Sequence, residues 1–150
     1  MIKVLMVCLG NICRSPLAEG ILQSKINTDK VFVDSAGTAA YHIGNLPDER
    51  SIDVARKYGI DITNQRARKF TVKDFDNFDF IYAMDESNYQ NILLLARSKE
   101  DKNKVEMILN ETKSNQNLSV PDPYYGGNQG FENVYKMLDE VCEIIANKLS

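Results

Sequence analysis

The chain opens on an apolar run, Ile2 to Val7, that breaks into Cys8-Leu9-Gly10-Asn11-Ile12-Cys13-Arg14-Ser15-Pro16. A short apolar run closed by a turn reads as a buried strand. Gly10 and Asn11 tolerate positive φ, so the chain can curl there. Ser15-Pro16 reads as a helix start, with serine as the N-cap and proline at the first helical position. Strand, tight loop and helix in succession point to a sheet covered by helices.

The loop also carries chemistry. Cys8 and Arg14 stand at its two ends, with Leu9, Gly10, Asn11, Ile12 and Cys13 between them. A cysteine between a strand end and a helix N-terminus faces backbone N–H groups that have no intrahelical partner. Those donors, the helix dipole and Arg14 would stabilise a negative sulfur. The same donors would ring a tetrahedral dianion, with the guanidinium gripping two of its oxygens. The chemistry implied is attack by sulfur on a bound phosphoryl group. An inert core cysteine is the plain alternative, and the returning arginine argues against it. No Gly-Lys-Ser/Thr follows, so the loop is not the nucleotide-binding kind.

Further along, strands and helices alternate. Val31–Asp34, Phe80–Met84 and Val105–Leu109 read as strands. Ser15–Asn27, Asp48–Tyr58 (stopped by Gly59), about Ser87–Ala96 and Phe131–Leu149 read as helices, with a helical turn at Val72–Phe75. Ser98–Lys104 and Asn110–Ser119 read as solvated loops. Alternation of this kind predicts an α/β fold with a parallel sheet covered on both faces. In such folds ligands bind beyond the carboxyl ends of the strands. The loop at Cys8 leaves the carboxyl end of the first strand.

At 150 residues, one domain spanning 1–150 is expected. Net charge is -3, which offers no general attraction to nucleic acid or an anionic membrane, so any anion site must be local. No signal peptide or bilayer-length apolar run is recognisable. Three cysteines without framework spacing suggest a reducing compartment, and cytoplasm is the default expectation.

A second constellation, Val120-Pro121-Asp122-Pro123-Tyr124-Tyr125-Gly126-Gly127, lies more than 100 residues beyond the first. Prolines on both sides hold Asp122 extended and give its carboxyl a direction. Cleavage of an aryl phosphate needs a proton for the departing phenolate, and a positioned carboxylic acid supplies one. Alone, the stretch reads as a surface turn. Beside the cysteine loop, it reads as the acid that loop requires.

The two motifs together resemble the low-molecular-weight protein tyrosine phosphatases, and the resemblance runs over nearly the whole chain. Asp34-Ser35-Ala36-Gly37-Thr38, Ile43-Gly44 with Asp48 and Arg50, and Ala83-Met84-Asp85-Glu86-Ser87-Asn88 are similar to family segments. The resemblance implies a Rossmann-like (flavodoxin-like) three-layer sandwich with a four-stranded parallel sheet. It implies Cys8 as nucleophile, Arg14 as phosphate clamp and Asp122 as general acid and then base, acting through a cysteinyl-phosphate without metal or cofactor. Backbone N–H groups from Leu9 through Arg14 would cradle the phosphate. Ser15 would support the sulfur, and Asn11 with Ser35 would hold the loop in shape. Tyr41, Tyr124 and Tyr125 would flank the substrate ring. The substrate implied is a phosphotyrosine protein or peptide, or a small aryl phosphate. A monomer with at most weak self-association is expected.

Other residues divide between readings. Cys13 is, by the resemblance, a partner for Cys8 in a protective disulfide, or else a small residue filling the loop. Tyr41 is a rim residue or an exposed loop tyrosine. Cys142 sits on an apolar helix face and reads as core. His42 reads as surface or rim. Arg66, Arg68 and Lys69 form a basic cluster that is solvated surface unless it lies near the cleft, where it would attract acidic phosphopeptides. Three rival functions share some features. A thiol-dependent arsenate reductase needs relay cysteines that the stretch after Tyr82 lacks. A protein arginine phosphatase carries threonine where Ile12 stands. A phosphotyrosine-binding module has no use for Cys8, Arg14 and Asp122 together.

Overall fold

The computed structural model describes residues 1–39, 41–112, 116–123 and 126–150. Four strands form one parallel sheet: β1 (Ile2–Cys8), β2 (Val31–Gly37), β3 (Phe80–Ala83) and β4 (Val105–Met107), in the spatial order β2-β1-β3-β4. The helices are α1 (Arg14–Gln23), α2 (Glu49–Lys57), α3 (Lys73–Asn77), α4 (Glu86–Leu93), α5 (Lys99–Asn103) and α6 (Gly127–Leu149), with a 3₁₀ turn at Ile108–Glu111. The fold is α/β and flavodoxin-like, as expected.

β1 is the hinge of the architecture, because its side chains alternate between two cores. Val4, Met6 and Cys8 enter the larger core, with Leu17 and Ile21 of α1, Val54 of α2, and Leu138 and Val141 of α6. Leu5 and Val7 enter the second core, with Phe75 of α3 and Ile92 of α4. From Val4 onward the strand is buried on both faces, which is why Val4–Cys8 is apolar throughout and carries no period-two pattern. Each fully buried aliphatic side chain contributes roughly 1.5–3 kcal/mol by leaving water.

Several boundaries differ from the sequence-based expectation, each for a local reason. Helix α1 begins at Arg14 with Cys13 as N-cap, not at Ser15, because the Ser15 hydroxyl is engaged inside the loop. Pro16 still falls in the first turn, where its missing N–H costs nothing. α1 ends at Gln23, short of Asn27. Strand β2 runs on to Gly37, beyond Asp34, paired with β1 as far as Cys8. Strand β4 stops at Met107 and winds into the 3₁₀ turn, where a strand to Leu109 was expected. Ser98–Lys104 is not a loop but carries α5, capped by the Ser98 side chain on the Asp101 N–H (3.2 Å). Asp48 and Asp85 cap α2 and α4 from outside, and both helices end a little early. Helix α6 starts four residues before Phe131, through Gly127-Asn128-Gln129-Gly130, a turn with no apolar residue to announce it. Among the described residues, no helix is long and apolar enough to cross a membrane.

Candidate active site

The loop from Leu9 to Cys13 curls at the carboxyl end of β1, between that strand and α1. Asn11 adopts φ 57°, the left-handed region that Asn tolerates better than most residues. Its side chain is buried and fully directed. Asn11 Oδ1 accepts the Arg68 backbone N–H (3.0 Å), which fixes the amide's orientation. Asn11 Nδ2 is left to donate to Ser15 Oγ (2.8 Å) and Ser35 Oγ (2.9 Å). This places Asn11 and Ser35 together, with Ser15 as a third partner and Arg68 as a fourth.

Carbonyl groups hold the outer face of the loop. Cys8 and Leu9 carbonyls accept from Thr38 and Ala39 N–H (both 2.9 Å), and the Ile12 carbonyl accepts from Asp48 N–H (2.7 Å). Among the described residues, none accepts a hydrogen bond from the N–H of Leu9, Gly10, Asn11, Ile12 or Cys13. A loop whose carbonyls are tied back and whose N–H groups are unspent is a nest for an anion.

Cys8 is buried, with Sγ 3.0 Å from Ser15 Oγ. Arg14 is also buried, and its Nη1 donates to Asp85 Oδ2 (2.7 Å) and to the Val120 carbonyl (3.0 Å). Burial disfavours the guanidinium charge, but the negative field of Cys8, the Asp85 hydrogen bond and the fields of Asp85 and Asp122 outweigh it and raise its pKa further. Arg14 Nη2 lies 4.0 Å from Asp122 Oδ2, whose side chain is 45% exposed. Cys13 is a free thiol, pushed up to about 12 by burial and then by the negative fields of Asp48, Cys8 and Asp122. It is therefore held neutral at physiological pH.

A cavity of about 280 Å³ joins these groups. Cys8, Leu9, Gly10, Ile12, Cys13 and Arg14 form its floor and one wall, and Tyr41, His42 and Asp122 stand around them. Tyr41 is 75% exposed and meets the His42 ring edge-on at 6.3 Å. Both residues line the cavity, and the exposure of Tyr41 is compatible with a rim residue and with an exposed loop tyrosine alike. Tyr124 and Tyr125 lie outside the described residues. Asp122 is anchored from both sides. Val120 N–H donates to the Met84 carbonyl (2.8 Å), and Gly126 N–H donates to the Pro123 carbonyl (2.9 Å). Gly126, the N-cap of α6, thus holds the carboxyl side of the acidic loop.

Sequence reasoning missed Asp85 and Glu19 as parts of the site. Asp85 follows β3, the immediate neighbour of β1, so its carboxylate reaches across to Arg14 while its other oxygen caps α4 on the Asn88 N–H (2.8 Å). A strand order of 2-1-3-4 would have revealed it. Glu19 lies on α1 one turn beyond Ser15 and accepts from Ser35 Oγ (2.6 Å). Its burial had no sequence signal. The basic cluster is largely consumed by the fold: Arg68 pairs with Asp34 and Asp74 (both 3.1 Å), and Arg66 donates to the carbonyls of Thr63 and Gln65 (both 2.7 Å). Cys142 is fully buried on α6, as expected.

The comparisons with known proteins agree with this geometry. Residues 3–150 match the family model for low molecular weight phosphotyrosine protein phosphatase. A relative of that name from Schizosaccharomyces pombe is 43% identical over 144 residues, covering 91% of this chain and 90% of the relative. The Homo sapiens relative of the same name is 39% identical over 151 residues, covering 97% and 94%. The crystal structure of a protein tyrosine phosphatase from Entamoeba histolytica superposes with a TM-score of 0.92 at 39% identity, covering 99% of this chain and 97% of that one. With sequence, fold and loop in agreement across the full length, the chain belongs to the low molecular weight phosphotyrosine protein phosphatase family.

Proposed function

We propose that this protein hydrolyses phosphotyrosine and related aryl phosphate monoesters, with Cys8 as nucleophile, Arg14 as phosphate clamp and Asp122 as general acid and base. The observation that carries the reading is that Cys8, Arg14 and Asp122 line one cavity, with a loop whose N–H groups have no acceptor among the described residues. The dianion enters with its non-bridging oxygens on the loop N–H groups and the Arg14 guanidinium. Cys8 sulfur attacks phosphorus as the P–O bond to the phenol breaks, and the Asp122 carboxyl gives its proton to the departing oxygen. Water then attacks the cysteinyl-phosphate, Asp122 takes its proton, and the S–P bond breaks. The Ser15 hydroxyl, 3.0 Å from Sγ, stabilises the sulfur anion as it departs. Leu9, Gly10, Asn11, Ile12 and Cys13 contribute backbone donors. Asn11 and Ser35 hold the loop's shape, and Tyr41 flanks the ring, with Tyr124 and Tyr125 as the remaining ring contacts.

The phosphotyrosine names of the relatives support the substrate class. Ile12 on the cavity wall favours a flat ring over a branched guanidinium. A relay through Cys142, as an arsenate reductase requires, would need a thiol that is not sealed beneath α1; its Sγ sits 3.8 Å from the Ala18 carbonyl. One family match across residues 3–150 supports the reading of a single domain. The test is direct. Purified protein without added metal turns over an aryl phosphate and is blocked by vanadate, and Cys8→Ser retains phosphate binding with no turnover. Normal turnover by Cys8→Ser would refute the nucleophile assignment.

A further inference from the structure

A continuous chain of buried hydrogen bonds runs from Cys8 to a carboxyl group that the proposed chemistry does not use. Cys8 Sγ meets Ser15 Oγ at 3.0 Å. Ser15 Oγ accepts from Asn11 Nδ2 (2.8 Å), and the same nitrogen donates to Ser35 Oγ (2.9 Å). Ser35 Oγ donates to Glu19 Oε1 at 2.6 Å. Asn11, Ser15, Ser35 and Glu19 are all buried.

The protons in this chain have little freedom. Asn11 presents only donors to the two hydroxyls, because its oxygen is committed to the Arg68 N–H. A hydroxyl that accepts from Asn11 must send its own proton elsewhere. Ser35 sends its proton to Glu19. Ser15 has two outlets, the sulfur at 3.0 Å and the Ala36 carbonyl at 3.5 Å, and the second is too long to compete. The chain is thus a central amide with a hydroxyl on each side and an acceptor at each end.

We propose that Glu19 is a positioning residue: as the acceptor at the far end of the Ser35–Asn11–Ser15 chain, it takes the Ser35 proton and so steadies the amide whose second hydrogen holds the Ser15 hydroxyl towards Cys8. The inference rests on the reading of Cys8 as nucleophile. If the Glu19 carboxyl gains a proton, it becomes a weaker acceptor with a hydrogen of its own to place. Ser35 is then released from its single orientation, Asn11 loses a firm partner, and the hydroxyl at the sulfur is held less firmly. The charged groups acting on Glu19 are Asp34 of β2 and Arg68 of the segment before α3. Burial, reinforced by Asp34, pushes the Glu19 carboxyl up to about 7, against the lowering effects of the Ser35 hydrogen bond and Arg68. The switch therefore operates near neutral pH.

The test is the pH dependence of Cys8 alkylation by iodoacetamide, located by mass spectrometry, on the intact protein. In the wild type the rate rises with the thiol's own ionisation and again by about fivefold near pH 7, the worth of one hydrogen bond. Glu19→Gln keeps an acceptor but cannot titrate, and it retains only the thiol's own step. Superimposable profiles for wild type and Glu19→Gln would overturn the proposal. Ser35→Ala cuts the chain while leaving the carboxyl in place, and it too loses the second step. Persistence of that step in Ser35→Ala would mean action through space, and would overturn the relay. Should Glu19→Gln fail to fold, Ser35→Ala decides. Turnover of an aryl phosphate is measured separately, so a two-step alkylation profile in a protein without turnover supports the role of Glu19 while refuting the phosphatase reading.

Discussion

Asp122 and Cys13 show how position alone separates residues of similar promise. Both line the cavity, yet only Asp122 stands part-exposed where a departing phenolate would pass, while Cys13 is kept neutral by burial. A general acid matters most when the leaving group is poor. Asp122→Ala should therefore slow phosphotyrosine cleavage by about 10²–10⁴-fold and cleavage of esters with acidic phenols far less. A leaving-group series of kcat/KM measures this, and equal slowing across the series would remove Asp122 from the acid role. Arg14 shows the complementary design. Asp85 and the Val120 carbonyl engage Nη1, and the salt-bridged guanidinium is thereby aimed before any substrate arrives.

Among the elements, the junction of β1, β2 and the loop is the tightest. Gly37 ends β2 opposite Cys8, and a Cβ there would lie 2.7 Å from the Leu9 carbonyl oxygen and 3.1 Å from the Asn11 nitrogen. Those are backbone atoms of the loop between Cys8 and Arg14 and have nowhere to go. Gly37→Ala should cost about 1–3 kcal/mol of stability and at least tenfold in kcat/KM, read by thermal melting and initial rates together; unchanged turnover would contradict the close approach. Much of this organisation was legible in advance. The apolar run into Cys8, the glycine and asparagine of the curl, and the two prolines around Asp122 each carry a local physical signature. The four residues that begin α6 carry none, since two are glycines and none is apolar. Asp85 and Glu19 were hidden for a different reason. Their roles depend on which strands are neighbours and which side chains end up buried, and neither is encoded within a short window of sequence.

For the molecule as a whole, burying Glu19 has a thermodynamic signature. Its carboxyl is raised from the ordinary 4.5 to about 7, so between those values the folded chain holds a proton that the unfolded chain has released. Stability from this group is full below the lower value and is lost as pH rises through the upper one. Glu19→Gln, free of that titration, should gain on the order of 2–3 kcal/mol relative to wild type between about pH 4.5 and pH 7.5. Urea denaturation at the two ends of that range measures the difference, and a constant offset would show that the carboxyl keeps its ordinary affinity for protons.

The placement of β1 has a practical corollary. The strand that delivers Cys8 is clasped on both sides, by β2 along its whole length and by β3 from Val4 to Val7. Frayed ends and solvent-facing segments open far more readily than the middle of a sheet. The Cys8 sulfur is thus attached to the carboxyl end of the most enclosed strand of the sheet. Heating or denaturant should extinguish turnover and secondary structure in a single coincident transition, which makes enzymatic assay a faithful gauge of how much of a sample remains folded.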